Sequence, residues 1–318
     1  MYMMRIVPKK GQTEAPDRTT HLHRLQLISR RHLAPLAFLF ALGLLVAACG
    51  SEETSSGDPA AGSVVATTGV AADIVSQVAG DDIEVIQLVP DGASPHSYAP
   101  SAKEQKELTD ADLVVYFSSG LEEALPIDAA DASFAIADHV EHGAGSEDPH
   151  VWMDPTQIEA ALPDLADALA EVDPADSAAF ERRAAAYGKQ LAGLDAELEA
   201  LVATIPEQNR KLVTSHDAIG YFADRYGFEF VGAPFGLTPE AEASAGEVAD
   251  LIATVEAEGV PAVFAQTGDD PEVLRRIAEE AGVEVVDDLH VESLDQDADS
   301  YVELLRLTTQ KITDALTS

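Results

Sequence analysis

Three histidines, His96, His150 and His216, recur in comparable settings along the chain. Imidazole can move a proton near neutral pH or hold a transition metal. His96 lies in Asp91-Gly92-Ala93-Ser94-Pro95-His96-Ser97-Tyr98, after a β-rich run ending at Val89 and before a helix opened by Ser101, with Glu104 completing a capping box. His150 lies in Asp148-Pro149-His150-Val151-Trp152-Met153-Asp154-Pro155, whose two Asp-Pro steps fix a loop before a helix starting near Pro155. His216 follows the β-rich run Lys211–Ser215 and opens a helical stretch from Asp217 to Tyr226. All three therefore fall at carboxyl ends of strands or in adjacent loops, where ligands bind in open α/β sheets.

Singly, each is more often a hydrogen-bonded histidine than a ligand. Together, three neutral imidazoles suit Zn²⁺, which takes nitrogen donors in a tetrahedron at about 2.0–2.1 Å. A fourth ligand is then required. Asp287 and Asp288 end the apolar run Glu284–Val286, and either could close the site; His290 competes from two residues further on. Four protein ligands leave no position for an activated water, so reversible capture is expected rather than catalysis. An enzyme would need one of these residues to act as a general base instead. His139 and His142 would share a face on a helix but fall in a Gly-rich loop, where a solvated loop is the simpler expectation than an accessory metal site. Ser215-His216-Asp217 carries the letters of a hydrolase triad, yet consecutive residues cannot adopt relay geometry. No phosphate-binding glycine motif or dinucleotide fingerprint is present.

The elements that must position these residues read as short β-rich runs alternating with helical patterns: Val64–Thr68, Glu84–Val89, Leu113–Phe117 and Phe134–Ala137, then Lys211–Ser215, Glu229–Phe235, Ala262–Gln266 and Glu284–Val286. That order predicts an α/β fold of two lobes, each a mostly parallel sheet wrapped by helices. Between them, Asp173-Pro174 starts a helical pattern that Pro206 stops, with Phe180, Tyr187, Leu191, Leu194, Leu198 and Leu201 on one stripe. One long rigid helix joining the lobes is expected. The boundaries are 64–172 for the first lobe, 173–205 for the linking helix and 206–318 for the second lobe.

Ahead of the lobes, Arg30 and Arg31 precede an uncharged apolar run, Leu33–Ala48, that ends in Val46-Ala47-Ala48-Cys49-Gly50. At about 16 residues against the roughly 20 of a membrane span, the run reads as the core of a signal peptide over 1–48. The small residues before Cys49 resemble a bacterial lipobox, with lipid on Cys49 and a polar tether over 49–63; ordinary secretory cleavage is the alternative. The protein would then be extracytoplasmic and held to the cell membrane by lipid. Cys49 is the single cysteine of 318 residues, which excludes an internal disulfide and a multi-cysteine zinc site. Residues 49–318 carry 12 basic and 55 acidic side chains, a surface that repels nucleic acid and concentrates cations.

Four stretches together resemble the metal-binding solute-binding lipoproteins of ABC-type zinc and manganese importers: Gly92–Pro100, Ala111–Tyr116, Asp148–Pro155 and Thr214–Phe222. The resemblance spans the chain from the lipobox to the C-terminus. It implies metal held between two α/β lobes by three histidines and an acidic residue: His96, His150, His216 and, as the best match, Asp288. It also implies partners, an ABC permease and its ATPase, with the binding protein itself a monomer. Members specialised for manganese carry Glu where His216 stands, so zinc is the expected cargo, with Mn²⁺ the alternative; ligand softness agrees. The family has also been labelled as surface adhesins, a third reading in which the metal is structural. Departures include Ser94 where Asp is usual before Pro-His, Ala243 where proline is usual before Ser244, and a His-rich loop reduced to His139 and His142.

Overall fold

Among the described residues, eight short strands and eight α-helices build a doubly repeated parallel arrangement. The structure is a computed structural model describing residues 62–118, 120–140, 147–238 and 243–317. Cys49, the apolar run before it and His142 lie outside the described residues, as do all but the last two residues of the expected tether.

In the first lobe, β1 (Ser63–Ala66), β2 (Glu84–Gln87), β3 (Leu113–Tyr116) and β4 (Ser133–Ala135) form one parallel sheet in the order β2-β1-β3-β4. Val64, Val65, Val114 and Val115 are buried because both faces are covered, which is why these strands read as continuous apolar runs rather than alternating ones. Helix α1 (Gly69–Ala79) is capped by Thr68, and α2 (Ala102–Asp110) by the expected Ser101/Glu104 capping box.

The second lobe repeats the order. Strands β5 (Lys211–Val213) and β6 (Glu229–Gly232) pair in parallel, as do β7 (Ala262–Gln266) and β8 (Glu284–Leu289), and a parallel bridge from Thr214 to Phe264 joins the two pairs. Helices α5 (Gly220–Tyr226), α6 (Ala245–Glu258), α7 (Glu272–Ala281) and α8 (Tyr301–Leu316) flank them. All eight strands fall where the β-rich runs predict them. The difference that matters is β8, which continues three residues past Val286.

Helix α3 (Pro155–Val172) starts at the Asp154 cap with Pro155 in its first turn. It packs along α4 (Ser177–Val202), the expected linking helix, whose 26 residues extend about 39 Å. The helix is shorter at both ends than the expected 173–205 because Asp173 accepts from Ala175 N–H and Ser177 is the first helical residue. Its stripe Phe180, Tyr187, Leu191, Leu194 and Leu198 is buried in a core shared by residues of both lobes. Ion pairs suture it to each: Arg183 to Asp82 at 2.6 Å, and Arg306 of α8 to Glu197 at 2.8 Å. No described helix is long and apolar enough to cross a membrane.

Candidate metal centre

His96, His150 and His216 converge on one point between the lobes. Their Nε2 atoms lie 3.0, 3.1 and 3.1 Å from a single carboxylate oxygen, Oε1 of Glu292. One donor atom from each of the four residues lies within 4.8 Å of all the others. The imidazole centroids are 5.5 to 5.9 Å apart, and the side chains of the three histidines are at most 2% exposed. Each arrives by the route its sequence context predicts: His96 on the β2–α2 connection, His150 at the start of the turn before α3, and His216 just beyond β5, where a bridge to Phe235 fixes the backbone.

The fourth member of the cluster is Glu292; Asp288, the expected one, is not brought to the three histidines. Residues 287 and 288 stand opposite a register shift in the pairing of β7 with β8, where Phe264 pairs with Val286 but Gln266 with Leu289. The extra residue is a β-bulge, and Asp288 adopts φ 60°, a conformation Asp tolerates. Both carboxylates are exposed: Asp287 pairs with Arg275 at 2.8 Å, and the carbonyl of Asp288 accepts from Lys311. Past the bulge the strand runs on to Leu289, so the acidic side chain just beyond its true end is Glu292. His290 also stays out of the cluster; it is buried with Nε2 2.8 Å from Asp295. His139 turns instead to Asp164 of α3 at 2.7 Å and stacks on Phe134.

Two further carboxylates set the ring orientation. Nδ1 of His150 is 2.7 Å from Asp148 Oδ1, and Nδ1 of His216 is 2.8 Å from Asp269 Oδ2. A carboxylate only accepts, so both Nδ1 atoms carry a proton and both Nε2 atoms face the centre, where each offers its lone pair to a metal once its own proton is displaced, and the Nδ1 partner makes the imidazole a better ligand. Asp148 is visible in the His150 motif. Asp269 reads in sequence only as an acidic helix start, because nothing local says that the β7–α7 loop folds over His216. The prediction is that Asp148→Asn and Asp269→Asn each weaken metal binding by roughly 10–100-fold, measured by competition with a chelator. Affinities equal to the unmutated protein's would refute it.

The same geometry holds protons. Burial opposes charge on His150 and His216, yet hydrogen bonds to Asp148 or Asp269 and to Glu292 outweigh it: His150 is raised above its usual value, and His216 to about 10. Glu292 is pulled well below the usual carboxylate range; its burial acts in the opposite direction, but the three histidines prevail. A cation entering this point therefore displaces protons. Trp152, the one tryptophan of the chain, has its ring 5.2 Å from that of His150. Its emission is expected to change on saturation with Zn²⁺; an unchanged spectrum at stoichiometric loading would contradict the site's placement.

Comparison with known proteins gives consistent matches. Residues 64–315 match the family model described as ZnuA, zinc-uptake complex component A, periplasmic. The manganese-binding lipoprotein MntA of Halalkalibacterium halodurans is 26% identical over 280 residues, covering 84% of this chain and 93% of the relative. The manganese ABC transporter substrate-binding lipoprotein PsaA of Streptococcus pneumoniae is 27% identical over 303 residues, covering 88% and 96%. Among solved structures, the periplasmic zinc-binding protein TroA of Treponema pallidum superposes with a TM-score of 0.76 at 26% identity, covering 81% of this chain and 99% of that one.

Proposed function

Because the chain belongs to the periplasmic zinc-uptake component A family, we propose that it captures Zn²⁺ with His96, His150, His216 and Glu292 and hands it to a membrane permease. The protein is an extracytoplasmic metal-binding component of an ABC importer, a transport protein and not an enzyme. In the proposed function it is a monomer anchored by lipid on Cys49, with permease and ATPase supplied by other chains.

The observation that carries it is the convergence of three imidazole nitrogens on one carboxylate oxygen. Three nitrogens and one oxygen form a donor set suited to tetrahedral Zn²⁺, whereas Mn²⁺ favours carboxylate and water oxygens in an octahedron. The relatives named for manganese favour the alternative cargo. Equilibrating the purified protein with equal Zn²⁺ and Mn²⁺, followed by elemental analysis, decides between them. Zinc retained at one per chain is expected, and preferential manganese would overturn the assignment.

A further inference from the structure

We infer that Trp152 is a positioning residue of the metal centre: its indole N–H, held on the carbonyl of Val291, sets the peptide that aims Glu292 at the three histidines. The inference rests on reading the His96, His150, His216 and Glu292 cluster as the metal site, and it adds what holds the fourth ligand in place.

Glu292 lies in no helix or strand. His150 and His216 are each oriented through Nδ1 by a carboxylate, but Glu292 sits in the irregular connection between β8 and α8. The anchors of that connection flank it. The Thr308 hydroxyl of α8 donates to the His290 carbonyl, His290 Nε2 meets Asp295, and Asp295 accepts from the N–H groups of Asp297 and Ala298. The anchor immediately before Glu292 comes from the other lobe: Trp152 Nε1–H donates to Val291 O at 2.7 Å. A bonded carbonyl fixes the plane of the 291–292 peptide, and with it the direction in which the Glu292 side chain leaves the backbone.

Trp152 can serve as such an anchor because it is itself immobile. Its side chain is 1% exposed, and its ring lies 4.4 Å from that of Phe117 and edge-on to His150. Its own carbonyl accepts from the Tyr301 hydroxyl at 2.5 Å, and Tyr301 N–H donates to Asp73 of α1. One residue therefore touches a histidine ligand from the first lobe and orients the carboxylate ligand from the second. A bare core aromatic needs only the ring; the N–H directed at the residue before Glu292 is what distinguishes positioning from packing.

Trp152→Phe keeps an aromatic ring and removes the N–H. Zn²⁺ affinity is measured by chelator competition in the unmutated chain, Trp152→Phe, Glu292→Gln and the double variant. The expected result is a roughly 10–100-fold loss in Trp152→Phe and no further loss when it is added to Glu292→Gln. Affinity within about twofold of the unmutated chain, or the same fold-loss in both backgrounds, overturns the inference. If Trp152→Phe does not fold, replacing the single tryptophan residue-specifically with 3-benzothienyl-alanine removes only the N–H and reads the same two outcomes. Failure of the unmutated chain to bind Zn²⁺ would instead remove the functional reading on which this rests.

Discussion

Glu292→Gln is expected to abolish retention of stoichiometric metal through dialysis, while Asp288→Asn leaves metal content and affinity unchanged. The contrast follows from burial and charge. The Glu292 side chain is 9% exposed and faces three imidazoles, so it supplies the one formal negative charge at the point of convergence. Removing one partner from a buried charged cluster costs about 3–5 kcal/mol, which at about 1.4 kcal/mol per decade corresponds to a loss of affinity of roughly two to three and a half decades. Asp288 is exposed on a bulge and is not a member of the cluster. Titration of both variants by competition with a chelator separates the two residues. Loss of affinity in Asp288→Asn with retention in Glu292→Gln would reverse the assignment.

Metal binding is expected to release at least one proton per ion at about pH 7 and to weaken roughly tenfold per pH unit, per proton displaced, on acidification. The sign follows from the raised histidines. His216 titrates at about 10 in the fold against 6.5 when free, so at neutral pH it carries a proton where the metal must bind. Its paired, protonated form stabilises the metal-free fold fully below about 6.5, and that contribution disappears as pH rises through about 10. Metal affinity runs the opposite way, rising with pH as the competing proton is lost. Calorimetric titration with Zn²⁺ in buffers of different ionisation enthalpy counts the protons directly. A heat independent of buffer would mean that the histidines are already deprotonated, and the proposed electrostatics of the site would be wrong. The linkage also has a functional sense: Zn²⁺ is held more weakly wherever the surroundings are more acidic.

The histidine ligands of the proposed site were legible because each has a local signature. Asp-Pro steps, a capping box and a strand of continuous valines or leucines are short-range features, and they place His96, His150 and His216 at strand ends without knowledge of any distant residue. The long linking helix was legible for the same reason, its apolar stripe repeating at helical spacing. What the strand-end rule could not settle was where β8 stops. An exposed Asp-Asp pair after three apolar-patterned residues reads as a strand end, but β7 offers hydrogen-bonding partners that carry β8 through a bulge to Leu289. With β8 extended by three residues, the carboxylate that meets the three histidines is that of Glu292 and not that of Asp288.

The amino-acid sequence by itself determined the α/β class and the repeated strand order, which depend on periodicity within a few residues, and its local motifs singled out three of the four converging residues. Only the tertiary structure decided the fourth residue and the surrounding supports. Asp269 reaches His216 across 53 residues, and Trp152 reaches Val291 across 139. Contacts of that kind arise when distant segments meet, within the second lobe for Asp269 and between the lobes for Trp152, and no local pattern encodes which carbonyl or carboxylate will then face a given ring.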